Sequence, residues 1–189
     1  MKKIAESVTK PLSFNRLSNI LKSAGAVLGK QTVINYVGYM MDSYMLFTLQ
    51  NYAAKLVEKE TSPKYYFMDT GLLGLMLMDC SSAQLENLVA IELIRRYGRE
   101  NVFYFEKNVE IDFYVPEEKL AIQVSLQVLD QIDTREREIG AFVKLKNFIG
   151  DATCLLITNS EEEELDYEGV HVSVVPVWKW LLQNRKQDI

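Results

Sequence analysis

The chain has 189 residues, of which 48% are hydrophobic and 25% are charged, and its formal net charge is −5. This composition is typical of a soluble globular protein with a sizeable core, long enough for one large domain or two small ones. No apolar run approaches the roughly 20 residues of a membrane-spanning helix and no secretory signal is visible, so we expect a cytoplasmic protein without a membrane partner.

The charge is distributed unevenly along the chain. Residues 1–64 contain nine Lys or Arg and four Asp or Glu, a balance of +5, whereas residues 65–189 contain twelve and twenty-two, a balance of −10. A basic region suits a polyanionic partner, and an acidic region repels one unless a metal intervenes. The two halves are therefore expected to have different functions.

The N-terminal part is typical of a winged helix. Helical spacing of apolar residues, with Ser13 in position to cap, predicts one helix, and a second is predicted over residues 30–43. The connection between them is short and contains glycine, as in a helix-turn-helix. Two strands are predicted next, at residues 45–49 and 64–68. Helices followed by a hairpin predict a winged helix-turn-helix domain over residues 1–78.

The remainder, residues 79–189, predicts an α/β domain with a mixed central sheet, giving an α/β (α+β) protein overall. A strong helix is expected from Ser81 or Ser82 to Tyr97, ended by Gly98. Three closely spaced strands are predicted next, at residues 102–106, 109–115 and 120–126. They are followed by a charged helix (133–148), a strand (153–158), an acidic loop (161–164), a strand (170–175) and a last helix (177–182).

The first candidate site is the start of the second predicted helix. Polar side chains there lie off the apolar face and suit contacts with phosphates and base edges in a major groove: Lys30, Gln31, Thr32 and Asn35. Lysines near the hairpin are expected to contact phosphates: Lys55, Lys59 and Lys64. The alternative is a small helical bundle with an ordinary solvated face; the charge asymmetry favours double-stranded DNA.

The second candidate is a nuclease-like set on a helix and two strands: Glu86, Asp112, Gln123 and Ser125. In metal-dependent nucleases two strand acids hold Mg²⁺ or Mn²⁺, a helix Glu often assists, and a Lys two positions after the second acid activates water. Here Gln123 stands in the second acid's position and Ser125 in that of the Lys. Asp112, Glu86 and Gln123 are the candidate metal ligands, but the missing charges predict a degenerate site. Alternatively, Asp112 is a structural acid on a partly solvated strand.

Other chemistry is not favoured. A single histidine, His171, excludes histidine-based metal clusters, and Cys80 and Cys154 are too far apart in sequence for a metal-type pair and are expected to be free thiols. Residues 25–30 have only three residues between glycines where a phosphate loop has four, so no ATP site is predicted. The acidic run is expected to be a solvated loop, and the aromatic run at residues 177–181 a helix packed on a sheet.

Together, these segments resemble the C-terminal region of prokaryotic AAA-superfamily ATPases, in which an ATPase module precedes a winged helix and a restriction-endonuclease-like domain of unknown function. The resemblance covers about residues 11–182, and its most specific part is residues 65–73. The other similar segments are the start of the recognition helix, the next helix and two core strands: residues 29–33, 86–93, 110–113 and 121–124.

The resemblance implies a non-catalytic DNA-binding and interaction region of an ATPase, with an ATPase module expected in the same full-length protein. Many members of that family have Glu and Lys where this chain has Gln123 and Ser125, which puts a working nuclease in doubt. Two alternatives stay open. One is a weakly active endonuclease that uses Mg²⁺ or Mn²⁺, and the other is a protein-interaction or dimerisation module, including a homo-oligomer.

Overall fold

The computed structural model describes residues 1–55, 62–129 and 132–183. These residues form a mixed α and β structure that divides into two compact units, Met1–Ile91 and Glu92–Ile189. The division falls inside one long helix, Ser81–Tyr97. The predicted boundary between residues 78 and 79 stays a prediction, since a division by compactness does not define functional domains.

Three helices begin the first unit: α1 (Lys2–Ala5), α2 (Phe14–Ser23) and α3 (Lys30–Asp42). The hydroxyl of Ser13 accepts a hydrogen bond from the backbone N–H of Arg16, which confirms the predicted N-cap. In α3, Val33 and Val37 are buried, as their spacing predicts. The two predicted helices of this region are therefore confirmed.

An antiparallel hairpin and two further helices follow: β1 (Leu46–Asn51), β2 (Lys64–Phe67), α4 (Gly71–Met76) and α5 (Ser81–Tyr97). The register pairs Leu46 with Phe67 and Leu49 with Lys64. All four residues of β2 are buried, so this strand forms core on both faces. Helix α5 ends before Gly98, whose φ of +81° is a conformation that glycine adopts without steric cost.

The second unit contains a six-stranded sheet in the order β3-β4-β5-β6-β8-β7. Its strands are β3 (Phe103–Glu106), β4 (Glu110–Val115), β5 (Leu120–Val124), β6 (Thr153–Thr158), β7 (Glu163–Tyr167) and β8 (Val170–Pro176). Strands β5, β6 and β8 are parallel and the other pairs are antiparallel, which confirms the predicted mixed sheet. Helix α6 (Ile132–Ile149) forms the crossover from β5 to β6, because parallel neighbours need a long connection.

Strand β7 corrects one expectation. Residues 161–164 were expected to form a solvated loop, but Glu163 and Glu164 begin β7, which pairs with β8 at the sheet edge. Only Leu165 of this strand is buried, so its sequence lacks the apolar alternation that usually reveals a strand. A tight turn at Glu168 and Gly169, both with positive φ, returns the chain into β8.

The last described helix is α7 (Val177–Gln183). It buries Trp180 and leaves Trp178 57% exposed, so one of the two tryptophans packs inward as expected. The Arg96 guanidinium lies 4.1 Å from the Trp180 ring centroid and donates a hydrogen bond to the Trp180 carbonyl oxygen. Among the described residues, no helix combines the length and apolar character that crossing a membrane requires.

Candidate nucleic-acid interface and nuclease-like strands

The first turn of α3 presents the predicted DNA-binding side chains to solvent. Lys30, Gln31 and Asn35 are exposed and Thr32 is half-buried. The N-cap residue is Gly29, which has no side chain that could accept a hydrogen bond from the first turn. The N-terminal turn of α3 is therefore without a side-chain cap. The Gln31 amide donates to the Asn35 side-chain oxygen over 3.1 Å, which holds these two amides together on one helix face.

The predicted phosphate-binding lysines near the hairpin differ from one another. Lys55 is exposed, and Lys59 lies outside the described residues. Lys64 is fully buried, with its Nζ 4.0 Å from a carboxylate oxygen of Glu86. A phosphate cannot reach a side chain in that position, so the expectation for Lys64 is corrected. Its place in the fully buried strand β2 is the physical reason.

Glu86, predicted as an assisting acid, lies on α5 within the first unit. Its carboxylate accepts a 2.8 Å hydrogen bond from the hydroxyl of buried Tyr66. The neighbouring Asn87 accepts from the backbone N–H of Phe67 over 2.7 Å and donates to the Phe67 carbonyl oxygen over 2.8 Å. Consecutive polar residues of α5 therefore attach this helix to β2, and Glu86 carries part of that attachment.

Asp112 and Gln123 form a reciprocal bridge between β4 and β5. Backbone pairing of these strands runs from Val115 opposite Leu120 to Phe113 opposite Ile122. At the next position the Gln123 side-chain oxygen accepts from the backbone N–H of Asp112 over 2.8 Å. The Asp112 carboxylate accepts in turn from the backbone N–H of Val124 over 2.9 Å. At this position the backbone N–H groups of Asp112 and Val124 are bound by side chains, whereas backbone carbonyl groups of a neighbouring strand usually accept such hydrogen bonds in a sheet.

The buried amide of Gln123 also donates to the Glu110 carbonyl oxygen over 3.2 Å, so both ends of its side chain have partners. Ser125 donates to the Gln127 carbonyl oxygen over 3.2 Å and supplies no cation. A Mg²⁺ or Mn²⁺ site of Asp112, Glu86 and Gln123 stays a prediction that these hydrogen bonds do not favour. The described part of the chain contains no group of three or more His, Cys, Asp or Glu placed to hold a metal.

A second carboxylate near Asp112 was missed from the sequence. Glu138 of α6 is buried, and burial raises the pKa of its carboxyl above the ordinary range, while a hydrogen bond from Arg137 opposes the rise. The negative charges of Asp112 and Glu110 raise this pKa further. The signal was present in the helical spacing, because Glu138 lies four positions before the buried Phe142 and seven before the buried Leu145.

The single histidine and the two cysteines lie outside both candidate sites. Exposed His171 lies between two carboxylates of β7, with its Nδ1 3.0 Å from Asp166 and its Nε2 3.1 Å from Glu164. The hydrogen bond with Asp166 is the main cause that raises the pKa of His171. Cys80 and Cys154 are free thiols, as expected. Burial raises the pKa of the Cys154 thiol to about 11, which disfavours the nucleophilic thiolate.

Comparison with known proteins gives two findings. Residues 1–83 match a family described as "Domain of unknown function (DUF8612)". The chain is also similar to "Uncharacterized protein MJ1544" of Methanocaldococcus jannaschii, with 32% identity over 181 residues. This alignment covers 90% of the chain and 41% of the relative, so the chain spans about two fifths of the relative's length. No solved structure matches the chain.

Neither name refers to an ATPase, a winged helix or a nuclease. The family match lies within the first compact unit, and the similarity to the archaeal protein extends over most of both units. What the comparisons support is a domain of unknown function and an uncharacterised archaeal relative. The resemblance to the C-terminal region of AAA-superfamily ATPases therefore belongs to the proposal that follows.

Proposed function

We propose that this chain is a non-catalytic DNA-binding and interaction region of an AAA-type ATPase, in which α3 is the recognition helix of a winged-helix domain. The observation that carries the proposal is the exposed N-terminal part of α3, with Lys30 and Gln31 in the first turn and Asn35 in the second. A cation, two amides and a turn without a side-chain cap are groups that bind phosphates and base edges.

The charge of the surrounding chain supports the same partner. Residues 1–55 contain seven Lys or Arg and two Asp or Glu. Six of these cations are exposed and the seventh, Lys3, is half-buried and paired with Glu6 over 2.6 Å. Neutralisation of phosphates by such groups releases counterions, which drives association with nucleic acid. The order of two helices and a hairpin supports the winged-helix assignment.

The ATPase part of the proposal rests on the resemblance of residues 65–73, 86–93 and the core strands to the C-terminal region of those enzymes. The first two of these segments contact each other, because Glu86 and Asn87 bind Tyr66 and Phe67. The archaeal relative is more than twice as long as the aligned region, which leaves room in that protein for a further module. A restriction-endonuclease-like domain is proposed for the second unit from its three meandering strands and crossover helix.

The test of DNA binding is a titration of the purified chain against labelled duplex DNA at two salt concentrations. Lys30→Glu is expected to weaken binding and to reduce the slope of log affinity against log salt by about 1. The matched control is Lys144→Glu, a reversal at an exposed lysine of α6, which should leave affinity nearly unchanged. Equal affinity of the Lys30→Glu variant and the wild type at low salt would refute the assignment of α3.

A weakly active endonuclease is tested separately, by incubating the chain with duplex DNA and Mn²⁺. Our proposal expects no cleavage above background, because Gln123 contributes no negative charge and Ser125 no cation. Cleavage that is abolished by Asp112→Ala would establish the nuclease instead. Cleavage that persists in the Asp112→Ala variant would point to a contaminating nuclease and leave the non-catalytic assignment in place.

A protein-interaction module is the second candidate, favoured by exposed apolar side chains at and after α4. Leu75 is 84% exposed and Met78 is fully exposed, although large apolar residues are usually covered in a monomer. If this surface joins two copies, the mass measured by light scattering should exceed that of the 21.8 kDa chain and fall in a Leu75→Glu variant. A monomeric mass for the wild type would exclude self-association through it.

A further inference from the structure

Two tyrosines extend the polar face of α3. Tyr36 is 52% exposed and Tyr39 is 65% exposed. In the described part of the chain, neither hydroxyl makes a hydrogen bond and neither ring packs against another ring or a cation. A tyrosine ring is a large, partly apolar surface, and two half-exposed rings without a hydrogen-bond, ring or cation partner are available to a ligand.

Helical spacing places these rings beside the amides of the first turn. Gln31, Asn35 and Tyr39 recur at every fourth residue, so they form one row along the helix surface. Tyr36 follows Thr32 by four residues and lies next to that row. The opposite face carries the buried Val33 and Val37, so the amides and the tyrosines share the solvent side of α3.

The charge of the N-terminal sequence favours one kind of partner. Residues 1–55 contain seven cations and only two acids, and Asp42 is the single acidic residue of α3. The positive end of the helix dipole lies at the N-terminal end of α3, where Lys30 begins the helix. A polyanion with flat apolar groups complements such a surface better than an acidic protein does, because the rings need a stacking partner.

Nucleic acid offers that partner only where its bases are unpaired. In an intact duplex the base faces are covered by their neighbours, so a tyrosine meets only edges and phosphates. In a single-stranded segment each base has a free face, and stacking on an aromatic side chain is largely independent of sequence. Mixed use of cations and aromatic rings is characteristic of proteins that bind single strands.

We propose that the α3 face binds DNA containing unpaired bases, with Tyr36 and Tyr39 stacking on those bases while Lys30 and the first turn, at the N-terminal end of the helix, hold other phosphates of the same DNA. This inference rests on the proposed DNA-binding function and names its substrate class. The preferred ligand is a junction between duplex and single strand, where paired and unpaired nucleotides lie side by side.

The experiment compares two labelled ligands, an intact duplex and the same duplex with a single-stranded gap of about ten nucleotides, within the range that single-strand-binding sites cover. Wild type is expected to prefer the gapped ligand. The double variant Tyr36→Ala/Tyr39→Ala should bind the gapped ligand roughly thirtyfold more weakly or worse, because two stacking contacts are lost, and the intact duplex with unchanged affinity. The variant Tyr36→Phe/Tyr39→Phe keeps both rings and should bind like the wild type.

Three controls make the outcome decisive. Tyr167→Ala removes an exposed tyrosine of β7 and should change neither affinity. Fluorescence of 2-aminopurine placed in the gap should be quenched on binding to wild type and to the phenylalanine variant, but not to the alanine variant. Melting curves should show that both α3 variants are folded at the temperature of the binding experiment, because each tyrosine of α3 leaves more than half of its surface exposed.

Several results would overturn the inference. Loss of affinity in the phenylalanine variant equal to that in the alanine variant would mean that the hydroxyls bind phosphate and no base is stacked. Equal losses on the intact and gapped ligands would remove the preference for unpaired bases. A fall in oligomeric mass in the alanine variant would assign the face to protein contact. Absence of binding to either ligand by the wild type would refute the proposed function itself, whereas equal binding of the gapped ligand by the wild type and the alanine variant would refute only this inference.

Discussion

The first turn of α3 and the end of the β4–β5 pair carry similar side chains in opposite situations. Gln31 and Asn35 are exposed and bind each other, whereas Gln123 is buried and binds the backbone of the neighbouring strand at both ends of its amide. A motif position does not reveal whether a polar group is available to a ligand. The hydrogen bonds that the group already makes in the fold do reveal it.

The largest effect that we expect concerns Asn87, which satisfies both backbone groups of buried Phe67. Asn87→Ala leaves a buried N–H and a buried carbonyl without this partner and should lower the free energy of unfolding by about 2–4 kcal/mol. The measurement is urea denaturation followed by circular dichroism. Asn147→Ala, at an exposed position of α6, is the control and should change stability by less than about 0.5 kcal/mol. Equal stability of the two variants would mean that Asn87 does not hold β2.

The next prediction tests the bridge between β4 and β5. Gln123→Ala removes two hydrogen bonds in a buried setting and should cost about 1–3 kcal/mol of stability in the same denaturation experiment. Gln127→Ala, at an exposed position just after β5, should be nearly neutral. If Gln123→Ala is as stable as the wild type, the amide has no structural role and the contrast with α3 fails.

A smaller effect with a defined pH dependence is expected at Glu138. Burial raises the pKa of this carboxyl, so ionising it costs more free energy in the folded state than in the unfolded chain. Glu138→Gln should therefore melt at a higher temperature than wild type at pH 7–8. The difference should shrink as the pH falls through the raised pKa and vanish where the carboxyl is protonated in both folded and unfolded chains.

The control for that variant is Glu136→Gln, which changes an exposed carboxylate of the same helix. It should show no comparable gain at any pH. A wild type that is more stable than Glu138→Gln at pH 7–8 would show that the Arg137 ion pair outweighs burial and the charges of Asp112 and Glu110.

The smallest stability change is expected on the α3 face. Gln31→Ala and Asn35→Ala remove exposed side chains and should alter the free energy of unfolding by less than about 0.5 kcal/mol each. Both should weaken duplex binding in the titration described above. A large loss of stability in either variant would place these amides in the same structural class as Gln123 and would remove the basis of the proposed interface.

Local signals in the sequence predicted most elements of both units. Ser13 marks the start of α2 and Gly98 marks the end of α5, as expected from the residues that favour these conformations. The positive φ of Asn108, between β3 and β4, follows the same local preference. Strand β7 was missed because four of its five side chains are exposed, so its sequence shows no apolar alternation. Pairing with β8 stabilises it as a strand.

The sequence by itself determined the local features: helical and strand periodicity, caps, turns and the separation of a basic from an acidic region. Only the tertiary structure decided which polar groups already have partners within the fold and are therefore not available to a ligand. Lys64 is buried within 4.0 Å of Glu86, and Asp112 and Gln123 bind across two strands. Such contacts join residues 11 to 22 positions apart, and their strength depends on burial and hydrogen-bond geometry that no local pattern encodes.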